Sequence, residues 1–215
     1  MSPRRGIPFV VSAPSGTGKT TVCRALVERD PGIEFSVSHT TRPMRAGERD
    51  RVDYHFVSPE TFRRLVEAGA FVEHAEYAGH GYGTSAAALE EPLAQGRDLL
   101  LEVEVQGAAQ LRERRPDAVF VFLLPPSLEV LEQRLRGRGT DSDDAVNLRL
   151  AAAQRELRAV SGFDYVVVNE DLEEAIEALR AIVDAERRGG TEAVRARFGR
   201  DAVLRRVGPR LGLGG

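Results

Sequence analysis

Ala13-Pro14-Ser15-Gly16-Thr17-Gly18-Lys19-Thr20 stands between an apolar run, Ile7 to Val11, and a segment, Thr21 to Arg29, that reads as helix. Strand, glycine loop and helix in that order are the context a phosphate-binding loop requires. Gly16 and Gly18 let successive backbone N–H groups turn inward around an oxyanion, and the helix start adds its partial positive charge. Lys19 is placed to reach the outer phosphates of a triphosphate, and Thr20 offers a hydroxyl to magnesium. The usual pattern opens with glycine; here that position is Ala13, the smallest departure a side chain allows.

Among 30 basic residues Lys19 is the sole lysine, all others being arginine. A general bias toward arginine accounts for the shortage but not for the position of the survivor. A phosphate loop needs a compact charge on a thin stem, which the broad guanidinium fork does not supply. The 215 residues and 42 % hydrophobic content are enough for a real core. A net charge of −3 gives no overall field to draw in nucleic acid or a membrane, so a bound anion must be held by a local cluster of arginines. The one cysteine, Cys23, rules out a disulfide framework and suits a reducing compartment. Without a signal-peptide core or a run of apolar residues long enough to span a bilayer, a cytoplasmic protein is expected. Self-association as a homo-oligomer is left open.

Four apolar runs lack strand-type alternation: Ile7 to Val11, Leu99 to Val103, Ala118 to Leu124 and Tyr165 to Val168. Such runs are strands covered on both faces, and the helical stretches Gly107 to Arg114, Ser127 to Arg136, Asp143 to Val160 and Leu172 to Arg187 wind around them. The fold class is therefore α/β with a parallel sheet flanked by helices. Ser127 and Asp171 are the expected N-caps. Between residues 35 and 95 the texture changes. Val52, Tyr54 and Phe56 alternate with polar residues, Pro59 opens a short helix, and Phe71 to Tyr77 and His80 to Thr84 flank a glycine turn. A small, mainly antiparallel insertion follows, with a return helix over 85–95. The core is then 1–34 with 96–187, and the polar, glycine-punctuated stretch 137–147 suits a mobile flap. Residues 188–215, rich in arginine and ending in glycines, read as a solvated, partly frayed tail.

The insertion also concentrates chemistry. Arg42 and Arg45, held extended around Pro43, together with the hydroxyls of Tyr54 and Tyr82, make a second phosphate site that the glycine loop does not provide. Glu73 is what a phosphate site would not want. Its carboxylate accepts two side-by-side hydrogen bonds, matching the adjacent N–H and amino donors on the Watson-Crick edge of guanine, whereas adenine presents an acceptor there. Ser38 and Thr84 are placed to answer the carbonyl at position 6. The four histidines, His39, His55, His74 and His80, show no catalytic spacing.

These motifs in this order resemble the guanylate kinases. The resemblance runs from about Ile7 to Ala185 and includes Ser12 to Thr20, Ser36-Val37-Ser38-His39-Thr40-Thr41-Arg42, Tyr82-Gly83-Thr84, Gln106-Gly107-Ala108, Pro125-Pro126-Ser127, Arg134 to Gly139 and Val168-Asn169. It implies a P-loop core carrying a GMP-binding insertion and a lid, with MgATP as phosphoryl donor and GMP, along with dGMP, as acceptor. It implies that Arg42, Arg45, Tyr54 and Tyr82 hold the GMP phosphate, and that Ser38, Glu73 and Thr84 hold guanine. Arg134, Arg138 and Arg149 would close over the ATP phosphates, and Asn169 would lie near adenine. One segment departs: where the family commonly reads Asp-Ile-Asp or Glu-Ile-Asp, this chain has Glu102-Val103-Glu104. The implied roles are a GMP contact for Glu104 and a magnesium contact through water for Glu102. Two other readings stay open at this point, a kinase for another small molecule on the same scaffold and a non-catalytic protein-binding module.

Overall fold

The computed structural model describes residues 4–77, 79–137 and 143–213, the side chains of 143–145 excepted. The chain forms two compact units, Met1–Val10 with Pro31–Val119 and Val11–Asp30 with Phe120–Gly215, and passes between them inside its first strand, β1 (Pro8–Ser12). Among the described residues no helix is long and apolar enough to cross a membrane.

In the unit built around residues 31–119, β2 (Ile33–Phe35) runs parallel to β7 (Asp98–Glu102), and Leu99 N–H donates to the Ile7 carbonyl at the start of β1 at 3.0 Å. β2 was not expected from the sequence, because three residues are too few to show a period. Asp98, 1 % exposed, accepts from the Ile7 N–H at 2.7 Å and from Arg4 at 2.5 Å, satisfying a carboxylate that burial would otherwise penalise. A four-stranded sheet follows, in the order β4 (His55–Phe56), β3 (His39–Thr40), β6 (His80–Ser85), β5 (Phe71–Tyr77). β5–β6 and β6–β3 are antiparallel and β3–β4 is parallel, so the sheet is mixed. The alternation at Val52, Tyr54 and Phe56 does not extend a strand that far: β4 holds two residues, and positions 51–53 form a turn.

Helix α2 (Pro59–Glu67) starts on Ser58, whose hydroxyl accepts from Thr61 N–H, and α3 (Ala86–Ala94) starts on Ser85, which accepts from Ala88 N–H. Both use the side-chain oxygen to satisfy an orphan donor of the first turn. Helix α4 (Val105–Arg114) lies along β5, the edge strand. Gln110 accepts from His74 N–H at 3.1 Å and donates to the His74 carbonyl at 2.7 Å, while Arg114 donates to the carbonyls of Phe71 and Val72. Side chains of one helix face thus occupy backbone groups that an open edge would leave for another strand.

In the other unit, β8 (Val119–Leu124) runs parallel to β9 (Tyr165–Val168), in the order β1, β8, β9. Every residue of β8 is buried, which is why the run shows no alternation. Helix α1 (Lys19–Arg29) packs on α7 (Leu172–Arg188), burying Val22, Cys23 and Leu26 from the first and Ile176, Leu179 and Ile182 from the second. The expected caps are present: Ser127 opens α5 (Leu128–Arg136) and Asp171 opens α7. Helix α6 spans Asp143–Leu157 and tightens into a 3-10 turn over Arg158–Gly162.

The expectation of a frayed tail is corrected. Residues 192–211 form α8 (Glu192–Phe198), α9 (Arg200–Val207) and a 3-10 turn over Gly208–Leu211, which bury Phe198, Val203 and Leu211. Gly199 forms an antiparallel bridge to Tyr165, and Arg200 N–H donates to the Asp164 carbonyl at 3.1 Å. The arginine content hid this, because these cations lie along the surface while a few apolar residues supply the anchor: Arg195 stacks over Tyr165 at 5.2 Å. Burial and Glu186, which accepts from the Tyr165 hydroxyl, push that phenol well above its ordinary value.

Candidate functional site

The glycine loop has the backbone its sequence demands. Gly16 and Gly18 both take the left-handed conformation, φ 89° and 91°, which residues with a Cβ avoid. Space demands glycine there too: a Cβ at Gly16 would stand 2.8 Å from Leu135 Cδ2, and one at Gly18 would stand 2.7 Å from Asn169 Nδ2. Gly18 caps α1 without a side-chain bond, so the helix start is left to backbone donors. The Thr17 hydroxyl is buried without a hydrogen-bond partner. Ala13 is 2 % exposed, in keeping with the small residue that replaces glycine, and Pro14 supplies the carbonyl that accepts from Thr17 N–H at 3.2 Å. Lys19 and Thr20 occupy the first turn of α1, with Thr20 exposed.

Three residues distant in sequence come to this loop. Asn169 donates from Nδ2 to the Thr17 carbonyl at 2.6 Å. Arg134 donates to the Asn169 carbonyl at 2.9 Å and, at 3.4 Å, to that of Thr17. Arg149 donates to the Ser15 hydroxyl at 3.1 Å. Arg138 lies outside the described residues. Sequence reasoning missed Glu156 of α6, whose carboxylate accepts from Ser15 N–H at 3.2 Å. That acid holds one of the loop donors a phosphate would use; 141 residues separate the pair, and no spacing signal connects them.

The other unit gathers the acceptor-type residues. Glu73 on β5 is 3 % exposed and faces Thr84 on β6 across the antiparallel pair. Thr84 Oγ1 donates to Glu73 Oε1 at 2.6 Å, and Ser38 Oγ lies 3.1 Å from Thr84 Oγ1. A hydroxyl has one proton to give, so Ser38 donates to Thr84 and Thr84 to Glu73. The relay fixes the carboxylate and engages both hydroxyl protons, so in this arrangement neither Ser38 nor Thr84 has a proton for a carbonyl at position 6, contrary to the expectation from the sequence.

Arg42 is 9 % exposed and forks onto Glu48, at 3.0 Å to Oε2 and 2.7 Å to Oε1, with a further bond to the Pro43 carbonyl at 2.7 Å. Its guanidinium lies 5.5 Å from the centroid of the Tyr54 ring, and the rings of Tyr54 and Tyr82 meet edge to face at 6.1 Å. The bonds to Glu48 hold Arg42 above its ordinary value, with a lesser contribution from Tyr82, and Arg42 holds the Glu48 carboxyl below the usual range. Glu48 was not anticipated. It reaches Arg42 because Glu48 N–H closes a turn onto the Arg45 carbonyl, which folds the chain back past Gly47. Arg45 itself is exposed and gives its backbone N–H to Glu48 at 2.7 Å. Glu104 is the N-cap residue of α4 without a side-chain capping bond, and Glu102 ends β7 half-buried.

His39 and His55 stack at 4.5 Å, and burial, then the neighbouring His55, lowers the pKa of His39 below 6.5. The unfolded chain therefore binds the proton more readily. Stability is fully present above that value and declines as pH falls through it. Thermal melts between about pH 7 and pH 5 should show a falling midpoint that His39→Phe flattens. An unchanged slope in that variant would refute the assignment.

A profile of the family described as guanylate kinase matches residues 5–186. The guanylate kinase of Syntrophotalea carbinolica is 54 % identical over 183 residues, covering 85 % of this chain and 87 % of the relative. That of Neisseria meningitidis is 51 % identical over 182 residues, covering 85 % and 89 %. The crystal structure of guanylate kinase from Anaplasma phagocytophilum superposes with a TM-score of 0.73 at 35 % identity, covering 92 % of this chain and 97 % of that one. With the glycine loop, the buried Glu73 relay and this similarity over most of its length, the chain belongs to the guanylate kinase family.

Proposed function

We propose that this protein transfers the γ-phosphoryl group of MgATP to GMP, and to dGMP, which carries the same base and phosphate. The observation that carries the acceptor assignment is the Ser38–Thr84–Glu73 relay, a buried carboxylate pre-set to accept from two adjacent donors. In this reading residues 35–95 bind GMP. Arg42, Arg45, Tyr54 and Tyr82 take its phosphate, and Glu104 adds a contact to the nucleotide. The loop from Ala13 to Thr20 takes the ATP phosphates, Asn169 lies near adenine, and Arg134, Arg138 and Arg149 close with the lid at 137–147.

The nucleophile is an oxygen of the GMP phosphate, whose second pKa is about 6, so it is already mostly ionised at neutral pH and needs no general base. The protein's task is to bring two anions together, orient them in line and exclude water. Lys19 and the arginines supply the positive charge for that approach. Thr20, with Glu102 acting through water, would hold the magnesium ion, which would supply positive charge against that of the phosphates. Steady-state transfer from MgATP to GMP, dGMP, AMP, UMP and CMP in parallel tests the reading. Activity confined to GMP and dGMP is expected, and comparable use of AMP would overturn it.

A further inference from the structure

We propose that the face of α4 carrying Gly107 and Gln110 sets the base selectivity of the acceptor pocket by fixing where the Glu73 carboxylate can sit; the inference rests on the reading of Glu73 as the group that reads guanine. Gly107 belongs to the first turn of α4, and its hydrogen side faces Glu73. A Cβ there would overlap Glu73 Oε2 and stand 3.1 Å from Cδ. Gly107 has no left-handed φ to explain its identity, so it is the space that calls for glycine. The carboxylate has no easy retreat, since its other oxygen accepts from Thr84 at 2.6 Å and the side chain is 3 % exposed. Three residues along the same face, Gln110 clasps both backbone groups of His74, the residue next to Glu73. One helix face therefore locks the strand from outside while leaving a gap for the carboxylate. The first turn of α4 also favours the ionised form of an acid placed beside it.

Alanine is a better helix former than glycine, so local propensity alone predicts that Gly107→Ala is harmless or stabilising. The overlap with Glu73 predicts a displaced carboxylate that keeps at most one of its two bonds to the base. IMP isolates this effect, because it has the ring N–H of GMP but lacks the 2-amino donor. The decisive measurement is the ratio of kcat/KM for GMP to that for IMP in the unsubstituted protein, Gly107→Ala, Glu73→Asp and the double variant, with melting curves to establish that each folds. Gly107→Ala should lower the ratio about tenfold, mainly through the KM for GMP, as one polar contact is lost. In the Glu73→Asp background the shortened acid no longer reaches the added methyl, and the second substitution should change the ratio less than about twofold. Gln110→Ala, which puts nothing into the gap, should shift the ratio in the same direction.

An unchanged ratio in folded Gly107→Ala and Gln110→Ala, beside a protein that does prefer GMP, would overturn this inference while leaving the role of Glu73 standing. Equal use of GMP and IMP by the unsubstituted protein, or a Glu73→Asp variant with the full preference, would overturn both.

Discussion

Lys19→Ala should lower kcat for GMP phosphorylation by about 100-fold or more, the scale seen when a donor to the transition state is removed. Unit charges brought to about 5 Å repel by about 3 kcal/mol per pair at an effective dielectric of 20, and ATP meeting GMP involves several such pairs. Lys19 is in the first turn of α1, directly after the left-handed Gly18, so its charge adds to that of the helix start and the loop amides. Lys19→Arg should restore little of the loss, because the wider fork must enter a loop whose two glycines already stand against Leu135 and Asn169. A melting curve beside the rate establishes that the variant folds, and the effect should appear in kcat. Near-normal kcat in folded Lys19→Ala would refute the assignment of the donor site.

The parts of this molecule that the sequence displays are those whose cause is local. The glycine loop needs two positive φ values within three residues, and only glycines supply them cheaply, so Gly16 and Gly18 announce it. Ser127 and Asp171 announce helix starts because an N-cap bond is made three residues away. β8 and β9 were legible as unbroken apolar runs, while β2 was too short to be seen. What stayed hidden arises from pairings that tertiary structure alone creates. Glu156 meets Ser15, Gln110 meets His74, and Glu48 takes the fork of Arg42, each a polar partner with no preferred spacing to betray it. The helices over 192–207 were missed for the opposite reason: a conspicuous arginine content drew attention from the spaced apolar residues that anchor them.

Glu48 alters the electrostatics that the arginines alone suggested. Arg42 is not a free cation waiting for phosphate but one half of a bidentate pair, its guanidinium also donating to the Pro43 carbonyl and supported by Tyr82. The pair orients the fork in advance, at the expense of placing an acid near the proposed phosphate. Recognition then depends less on net positive charge than on fixed geometry. The same economy governs the base pocket, where a buried carboxylate is tolerated because hydroxyls and a helix start are arranged around it.

That arrangement makes Glu73→Gln the second large prediction. The substitution preserves volume and removes only the charge and one acceptor. An amide offers one oxygen and one NH2 group where the carboxylate offered two oxygens, so one donor of guanine would face another donor. Leaving a buried polar group opposed in this way costs about 3 kcal/mol when a charge-assisted bond is lost with it, which corresponds to about a 100-fold fall in kcat/KM for GMP. Thr84 compounds the effect. Its hydroxyl now donates to Glu73 Oε1, and it would keep that bond only if the amide oxygen turned toward it, leaving the NH2 group toward the base. Adenine, which presents an acceptor at ring position 1, gains from that orientation, so the preference for GMP over AMP should shrink by more than the loss in GMP use alone. A variant that retained both its rate with GMP and its rejection of AMP would show that the base is read by some group other than Glu73.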